Sequence, residues 1–252
     1  MTDTAPEHRR WPGETLRASG ITRSFEGLHA LNGVTLELHR HEVVGLIGPN
    51  GAGKTTLVNI VTGFDSPTEG EVALAGEAIT LWAPHRRARA GLARTYQHGR
   101  LFSGLSAREN VEVAALGVGA SPGEARRRAG ELLALLGLER RANSPAAVLP
   151  HGEERKLGVA RALATGPRFV LMDEPAAGLS EAEVPDFAEV VRTVREEHEA
   201  GVLLIDHNVG LILEVCDRIQ VLDQGRTLAE GTPAEIRRNI DVTAAYLGSA
   251  HG

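Results

Sequence analysis

Three glycines, a lysine and two threonines lie together in the stretch "GPNGAGKTT", residues 48 to 56. An apolar run from Val43 to Ile47 precedes it, and a helical pattern follows it. Glycines allow a backbone to turn its N–H groups toward an anion, and a lysine adds positive charge. Glycine clusters alone are usually turns, but Gly-x-x-x-x-Gly-Lys-Thr between a strand and a helix is typical of a phosphate-binding loop. The stretch therefore predicts a nucleotide site.

Each residue type of this loop has an expected part in holding a nucleotide and Mg²⁺. Lys54 is expected to meet the outer phosphates, and the Thr55 hydroxyl is expected to bind the metal ion. The full set of predicted nucleotide contacts in the loop is Gly48, Pro49, Asn50, Gly51, Ala52, Gly53, Lys54, Thr55 and Thr56.

A second chemical feature is the stretch "RFVLMDEP", an apolar strand pattern that ends in two carboxylates. In open α/β sheets, ligands collect at the carboxyl ends of the strands. Asp173 is therefore predicted to belong to the metal shell, and Glu174 to polarise a water molecule against the γ-phosphate. The alternative is that the two carboxylates simply lie in solvent at a strand end. The presence of a phosphate-binding loop in the same chain argues against this alternative.

The elements that must position these groups alternate between strands and helices, which predicts a mostly parallel, covered sheet. Residues 17 to 80 combine one helix with hairpin-like strands, and helical patterns, "APHRRARAGLA" among them, continue from about residue 84 to 164. Ser-x-x-Glu spacing predicts helix starts at Ser106, Ser121 and Ser180. Gln224 and Gly225 are expected to turn a hairpin. A helical lobe is thus expected between two β-containing halves.

Composition excludes several classes of protein. Lysine and arginine number 27 against 33 acidic residues, for a net charge of −6, so nucleic acid is not expected as the main partner. The single cysteine, Cys216, forms no internal disulfide and is expected to be a buried apolar residue in a reducing compartment. Residues 1–15 are expected to be a disordered tail, not a signal peptide. The apolar runs are too short to span a bilayer, so a membrane role requires a partner.

With these motifs in place, residues 16 to 248 resemble the ATP-binding-cassette (ABC) ATPases. The resemblance implies an α/β fold: a RecA-type P-loop NTPase core with a parallel sheet, an antiparallel β subdomain and an inserted helical subdomain. It also implies a single domain over 16–248, with the core at 16–97 and 166–248 and the helical subdomain at about 98–165.

The resemblance assigns further residues. Phe25 falls where the family stacks an aromatic ring on adenine, although plain core packing is an alternative. Gln97, in "RTYQHGRLF", falls in the loop that meets the metal and the membrane partner. His207, in "LLIDHN", falls at the γ-phosphate sensor, where a helix cap or a buried, hydrogen-bonded histidine is the alternative. The D-loop is "AAGLS", and Gly152 lies in the signature "LPHGEERKLGVARAL", which the resemblance presents to the nucleotide of a partner subunit.

The signature departs from the Leu-Ser-Gly-Gly-Gln of the family. Pro150 replaces the serine, His151 the first glycine and Glu153 the glutamine. Proline has neither a hydroxyl nor a backbone N–H, so the serine's hydrogen bond to phosphate is unavailable. The Gly152 N–H and the following helix N-terminus remain to face the phosphate.

The form Leu-Pro-aromatic-Gly, with "DEPAAGLS" and the tail "EGTPAEIRRNIDVTAAYLG", is similar to the branch that powers uptake of branched-chain and other hydrophobic amino acids. Gly158 and Asp206 stand where glutamate is more usual in that branch. The cargo rests on this resemblance, because no residue of the chain is expected to touch it.

The resemblance implies an ATPase subunit on the cytoplasmic face of a membrane, bound to a transmembrane permease and indirectly to a solute-binding protein. Two subunits, identical or sister chains, would close head to tail on two Mg-ATP molecules. The alternatives are a soluble ABC protein without a permease, or a motor for lipid export or for small amides such as urea. A groove beside Gln97 would favour the permease. The arginines at 86, 87 and 89 are expected on solvated helix faces.

Overall fold

The computed structural model describes residues 14–95 and 101–244. Its strands form two β-sheets. The strands are β1 (Thr15–Phe25), β2 (Leu28–His39), β3 (Val43–Ile47), β4 (Glu69–Leu74), β5 (Glu77–Ala78), β6 (Leu92–Arg94), β7 (Phe169–Asp173), β8 (Gly201–Ile205), β9 (Arg218–Asp223) and β10 (Arg226–Gly231). The helices are α1 (Lys54–Thr62), α2 (Pro84–Arg89), α3 (Ala107–Gly117), α4 (Pro122–Leu135), α5 (His151–Leu163), α6 (Val184–Glu197), α7 (Val209–Val215), α8 (Pro233–Arg238) and α9 (Ile240–Val242).

The larger sheet has the strand order β10-β9-β3-β8-β7-β6. All its neighbouring pairs are parallel except β10 with β9, which form the expected hairpin around Gln224 and Gly225. Strands β3 and β8 are buried along their whole length, which explains why their sequences are continuously apolar. The prediction of a mostly parallel, covered sheet is confirmed. Because β3, β8 and β7 are parallel neighbours, their carboxyl ends lie together at one edge of the sheet.

The smaller, antiparallel sheet has the order β2-β1-β4-β5. Helix α1 lies between the two sheets, because its apolar side chains share one core cluster with strands of both; Leu57, Ile60 and Val61 are fully buried there. The other face of the larger sheet packs against α6, α7 and the lobe of α3, α4 and α5.

Sequence patterns correctly located several helix starts. Ser106 and Glu109 form a reciprocal capping box at α3, and the Ser121 hydroxyl accepts the Glu124 N–H at α4. The helix start predicted at Ser180 is wrong by about one turn, because α6 begins at Val184. The Ser180 hydroxyl and N–H instead donate to the Glu183 carboxylate across the preceding turn.

The helical pattern predicted for "APHRRARAGLA" is wrong at its carboxyl end. Helix α2 ends at Arg89, and Leu92–Arg94 form β6, an edge strand parallel to β7. Gly91 causes the change, because its φ of 95° is left-handed and a side chain there would lie 3.0 Å from the Arg168 guanidinium. Residues 92–94 therefore belong to the larger sheet.

Arg87 is buried, and the expectation that it lies on a solvated helix face is wrong. Its side chain is 1% exposed. One guanidinium nitrogen donates to the carbonyls of Ile60 and Val61, at 2.7 and 2.6 Å, at the end of α1. Burial lowers the pKa of Arg87 to about 10, so the group remains charged at neutral pH. The cation lies against the negative end of the α1 dipole and donates to its last carbonyls, of which that of Ile60 also accepts the Gly63 N–H.

We expect Arg87→Met to lower the free energy of unfolding by about 3 kcal/mol, because buried carbonyls lose their donor. Urea denaturation followed by circular dichroism measures the change. Arg86→Met is the matched control, since Arg86 is the exposed neighbour. A loss below about 1 kcal/mol for Arg87→Met would show that water replaces the guanidinium at low cost.

Within residues 14–95 and 101–244, no helix has the length and the apolar character needed to cross a bilayer.

Candidate functional site

The glycine-rich loop connects β3 to α1, as its spacing predicts. Gly48 and Gly53 both have positive φ values, 150° and 103°. A Cβ at Gly48 would lie 2.1 Å from the Leu222 carbonyl oxygen, and one at Gly53 would lie 2.7 Å from the Ala30 carbonyl oxygen. Both positions therefore require glycine, because any side chain would clash with backbone.

The loop backbone leaves donors at the start of α1. The first helical hydrogen bond runs from the Leu57 N–H to the Gly53 carbonyl, so the N–H groups of Lys54, Thr55 and Thr56 have no acceptor within the helix. The remaining predicted contacts, Pro49, Asn50, Gly51 and Ala52, form the bend itself. The geometry is that of an anion site at a helix N-terminus.

Lys54 points back across the loop. Its ammonium donates to the carbonyls of Gly48 and Pro49, at 2.7 and 3.0 Å, and the residue is 7% exposed. Burial lowers the pKa of Lys54, and the nearby carboxylates of Glu174 and Asp173 oppose this effect. The loop therefore holds a buried cation beside both predicted carboxylates.

Asp173 is the last residue of β7, and Glu174 follows it in a left-handed conformation with φ 48°. The Glu174 N–H donates to the Ile205 carbonyl at 2.7 Å, which holds the turn against the end of β8. A glutamate with positive φ is uncommon and costs conformational energy. The strain directs the Glu174 side chain toward His207, whose Nε2 lies 2.7 Å from the Glu174 Oε1.

His207 matches neither structural alternative. The side chain of Asn208, not that of His207, caps α7 by accepting the Leu211 N–H. The His207 side chain is 46% exposed, so it is not a buried histidine. The structure thus brings Lys54, Glu174 and His207 to one edge of the sheet, although they come from three separate loops.

The buried carboxylate of Asp206 joins two of these loops. It accepts the N–H groups of Ala176 and Asn208, both at 2.8 Å. Burial raises the pKa of Asp206, and hydrogen bonds from the backbone of Asn208, Ala176 and His207 oppose that rise. In the sequence, Asp206 stands out only as an aspartate where glutamate is more usual, so this structural role was not predicted.

The most informative contact at the site was also missed. The Arg94 guanidinium lies 2.7 Å from the Asp173 Oδ2 and 2.7 Å from the Asn59 Oδ1. In the sequence, Arg94 has no predicted role of its own, because it begins the segment "RTYQHGRLF" directly after a predicted helix. Only β6 brings it to the edge where Asp173 lies.

The residues present fit Mg²⁺. Thr55 and Asp173 supply hard oxygen atoms, which this cation prefers, and Mg²⁺ proteins usually combine one or two such side chains with phosphates and water. In the described part of the chain no cluster of three or more His, Cys, Asp or Glu side chains could enclose a metal ion. Gln97, the third predicted ligand, lies outside the described residues.

Phe25, at the end of β1, is 47% exposed. Core packing, the alternative considered for it, is therefore wrong. The Arg23 guanidinium lies 4.3 Å from the centre of its ring. Contact with adenine stays a prediction.

The signature segment begins α5, with Pro150 at the N-cap position. His151 Nε2 and an Arg155 guanidinium nitrogen each lie 3.0 Å from the Ala177 carbonyl oxygen, so α5 contacts the D-loop of its own chain. Hydrogen bonds from Ser180 lower the pKa of Glu183, with smaller contributions from His151 and the Gly152 N–H. The N–H of Gly152 therefore faces a carboxylate in this structure.

An open groove of about 300 Å³ separates the larger sheet from the helical lobe. Its lining residues come from the end of α1, from α2 and β6 on one side and from α3 and α5 on the other: Thr62, Phe64, Pro84, His85, Ala88, Leu92, Ala93, Arg94, Ala114, Gly158, Arg161, Ala162 and Thr165. Phe64 is 56% exposed there. The groove thus has an apolar, exposed surface that reaches Arg94.

Comparison with protein families gives two matches. The family described as "ABC transporter" matches residues 31–177, and "Branched-chain amino acid ATP-binding cassette transporter" matches residues 226–252. The high-affinity branched-chain amino acid transport ATP-binding protein BraF of Pseudomonas aeruginosa is 43% identical over 250 residues, covering 93% of this chain and 98% of BraF.

Solved structures agree with the sequence matches. The ADP conformation of MJ1267, an ATP-binding cassette of an ABC transporter, has a TM-score of 0.85 at 28% identity and covers 94% of this chain and 99% of its own. The dimeric post-hydrolysis state of the cassette MJ0796, bound to ADP and Pi, has a TM-score of 0.76 at 29% identity, covering 86% and 98%. The predicted P-loop α/β fold is confirmed, and the chain belongs to the ABC transporter family.

Proposed function

We propose that this chain binds and hydrolyses ATP to power the import of branched-chain or other hydrophobic amino acids. The main support for ATP hydrolysis is the contact between His207 Nε2 and Glu174 Oε1, at 2.7 Å. This pair lies at the edge of the sheet where the buried Lys54 also lies. The cargo rests on the 43% identity with BraF.

Nucleotide binding uses the loop and the start of α1. The N–H groups of Lys54, Thr55 and Thr56, with the lysine ammonium, hold the phosphates. The hydrogen bonds from the ammonium to the Gly48 and Pro49 carbonyls hold it against the loop, beside the proposed phosphate site. Phe25 offers an exposed ring to the adenine.

Thr55 and Asp173 would hold Mg²⁺, and Gln97 is proposed as a third ligand. When bound, the ion neutralises charge on the phosphate oxygens.

In the hydrolysis step, Glu174 acts as general base and orients the attacking water toward the γ-phosphate. The nearby His207 orients the Glu174 carboxylate and donates to the γ-phosphate. Because Glu174 is held by its backbone in a strained turn, its carboxylate is positioned before the substrate binds.

The working unit is a head-to-tail dimer, either of this chain or with a sister subunit. In the dimer, Gly152 at the start of α5 faces the γ-phosphate held by the partner. Pro150 removes one hydrogen-bond donor from that contact. ATP favours the closed dimer and hydrolysis releases it, so the cycle is a population shift that a permease converts into alternating access.

Residues 16–248 form a single ABC ATPase domain, peripheral on the cytoplasmic face of the membrane. The groove between α2 and α5 receives a short segment of the permease. Its exposed Phe64 and its apolar lining support this role, because an exposed apolar surface favours a protein partner. A solute-binding protein delivers the cargo to the permease and does not contact this chain.

We expect tagged Glu174→Gln, loaded with Mg-ATP, to recover a multi-span permease from detergent-solubilised native membranes. Adding Phe64→Glu should reduce that recovery at least tenfold, because it places a charge in the apolar groove. Mass spectrometry of the captured proteins measures both.

The matched control is Leu228→Glu on β10, at the opposite edge of the sheet from the groove. It should leave permease recovery unchanged. If only soluble proteins are recovered and the variant is still loaded with ATP, the result would contradict the transport function. It would remain consistent with the proposed ATPase activity.

A further inference from the structure

Arg94 contacts two separate parts of the nucleotide site with the two arms of one guanidinium. One nitrogen lies 2.7 Å from the Asp173 Oδ2, and another lies 2.7 Å from the Asn59 Oδ1. The side chains of Arg94 and Asp173 are only 10% and 14% exposed. Because water is largely excluded, this pair is held more strongly and in a more defined geometry than a surface ion pair.

The Asn59 arm reaches the helix that carries Thr55. Asn59 lies four residues after Thr55 on α1, so the two side chains occupy the same helix face in adjacent turns. Arg94 therefore connects α1, which carries the proposed Mg²⁺ ligand Thr55, with the strand end that carries the proposed ligand Asp173.

The Asp173 arm sets the orientation of the carboxylate. Arg94 occupies Oδ2, and none of the hydrogen bonds among the described residues involves Oδ1. The carboxylate is thus turned with one oxygen bound to the guanidinium and the second left for another partner. Lys54 is a further cation whose charge acts on Asp173, and it would attract a carboxylate that Arg94 no longer held.

We propose that Arg94 is a positioning residue that orients the Asp173 carboxylate, relative to Thr55, for binding the nucleotide-associated divalent cation. This inference rests on the proposed function and adds a residue to it. Groups that orient a metal ligand by hydrogen bonding typically change metal affinity by about 10- to 100-fold when they are removed.

The test is Mn²⁺ affinity, measured by electron paramagnetic resonance on the purified chain saturated with ADP. We expect Arg94→Met to weaken Mn²⁺ binding about tenfold or more. ADP affinity in EDTA should change less than about twofold, because the described hydrogen bonds of Arg94 go to Asp173 and Asn59 and not to residues 48–56. The direction is diagnostic, since loss of a positive charge would by itself strengthen cation binding.

Two further variants separate orientation from simple charge neutralisation. Arg94→Lys keeps the charge but loses the planar fork, so it cannot hold both acceptors in the same geometry. It should weaken Mn²⁺ binding several-fold, as should Asn59→Ala. Arg89→Met, at an exposed arginine of α2, is the matched control and should leave Mn²⁺ affinity unchanged.

Unchanged or tighter Mn²⁺ binding in Arg94→Met would overturn the inference, as would full rescue by Arg94→Lys. If Arg94→Met does not fold, Arg94→Lys and Asn59→Ala decide the question, because Arg94→Lys keeps a cation at the buried position and Asn59→Ala leaves Arg94 itself in place. A wild-type chain that bound no ADP would contradict the proposed function itself. If the wild-type chain binds ADP and Mn²⁺ normally and the variants have unchanged Mn²⁺ affinity, only the role of Arg94 would be contradicted.

Discussion

Glu174→Gln is expected to lower the rate of ATP hydrolysis by about 10³-fold while leaving ATP bound. Glutamine fills the same volume and can still hydrogen-bond to His207, so the strained turn at Glu174 is retained. It cannot accept a proton from water, so the general base is lost. Because hydrolysis is what opens the closed dimer, the variant should accumulate as an ATP-loaded dimer.

Phosphate release in steady state measures the rate, and light scattering coupled to size exclusion measures the dimer with Mg-ATP. Glu181→Gln, an exposed glutamate shortly after the D-loop, is the matched control and should retain wild-type activity. A hydrolysis rate in Glu174→Gln within threefold of wild type would exclude Glu174 as the base.

Lys54→Met is expected to weaken ATP binding about 100-fold, equivalent to about 2.7 kcal/mol. Methionine keeps most of the aliphatic length of lysine, but it cannot donate to a phosphate oxygen. The loop carbonyls of Gly48 and Pro49 also lose their buried donor, at 2.7 and 3.0 Å. Within the loop itself, only the backbone N–H groups then remain to bind phosphate.

Equilibrium titration with a fluorescent ATP analogue measures the affinity, and thermal unfolding without nucleotide checks that the variant folds. Lys156, the other lysine of the sequence, provides the control. Lys156→Met should bind ATP normally. Normal ATP affinity in Lys54→Met would contradict the placement of the phosphates beside this residue.

Much of the fold could be predicted because its signals are local. Buried strands such as β3 and β8 read as continuous apolar runs, and the caps at Ser106 and Ser121 depend on residues three positions away. The glycine-rich loop is equally local, since its spacing sets the bend, the cation and the hydroxyl within one short segment. These predictions needed no knowledge of distant neighbours.

The errors occurred where local preference and tertiary contact disagree. Leu92 and Ala93 end a predicted helical pattern but form a strand with Arg94, because β7 offers hydrogen bonds to a segment that Gly91 has released from α2. Arg87 carries the charge typical of a solvated face. It is buried because its guanidinium donates to the carbonyls of Ile60 and Val61 at the end of α1.

By itself, the sequence determined which groups are available for chemistry: a lysine and a threonine on a glycine bend, two carboxylates after one strand and a histidine after another. Only the tertiary structure decided which of them meet. Glu174 and His207 are 33 residues apart and Arg94 and Asp173 are 79 apart, so their contacts depend on strand order. The physical reason is that burial and the partner of each charge are set by the packing of distant elements, which a local pattern does not encode.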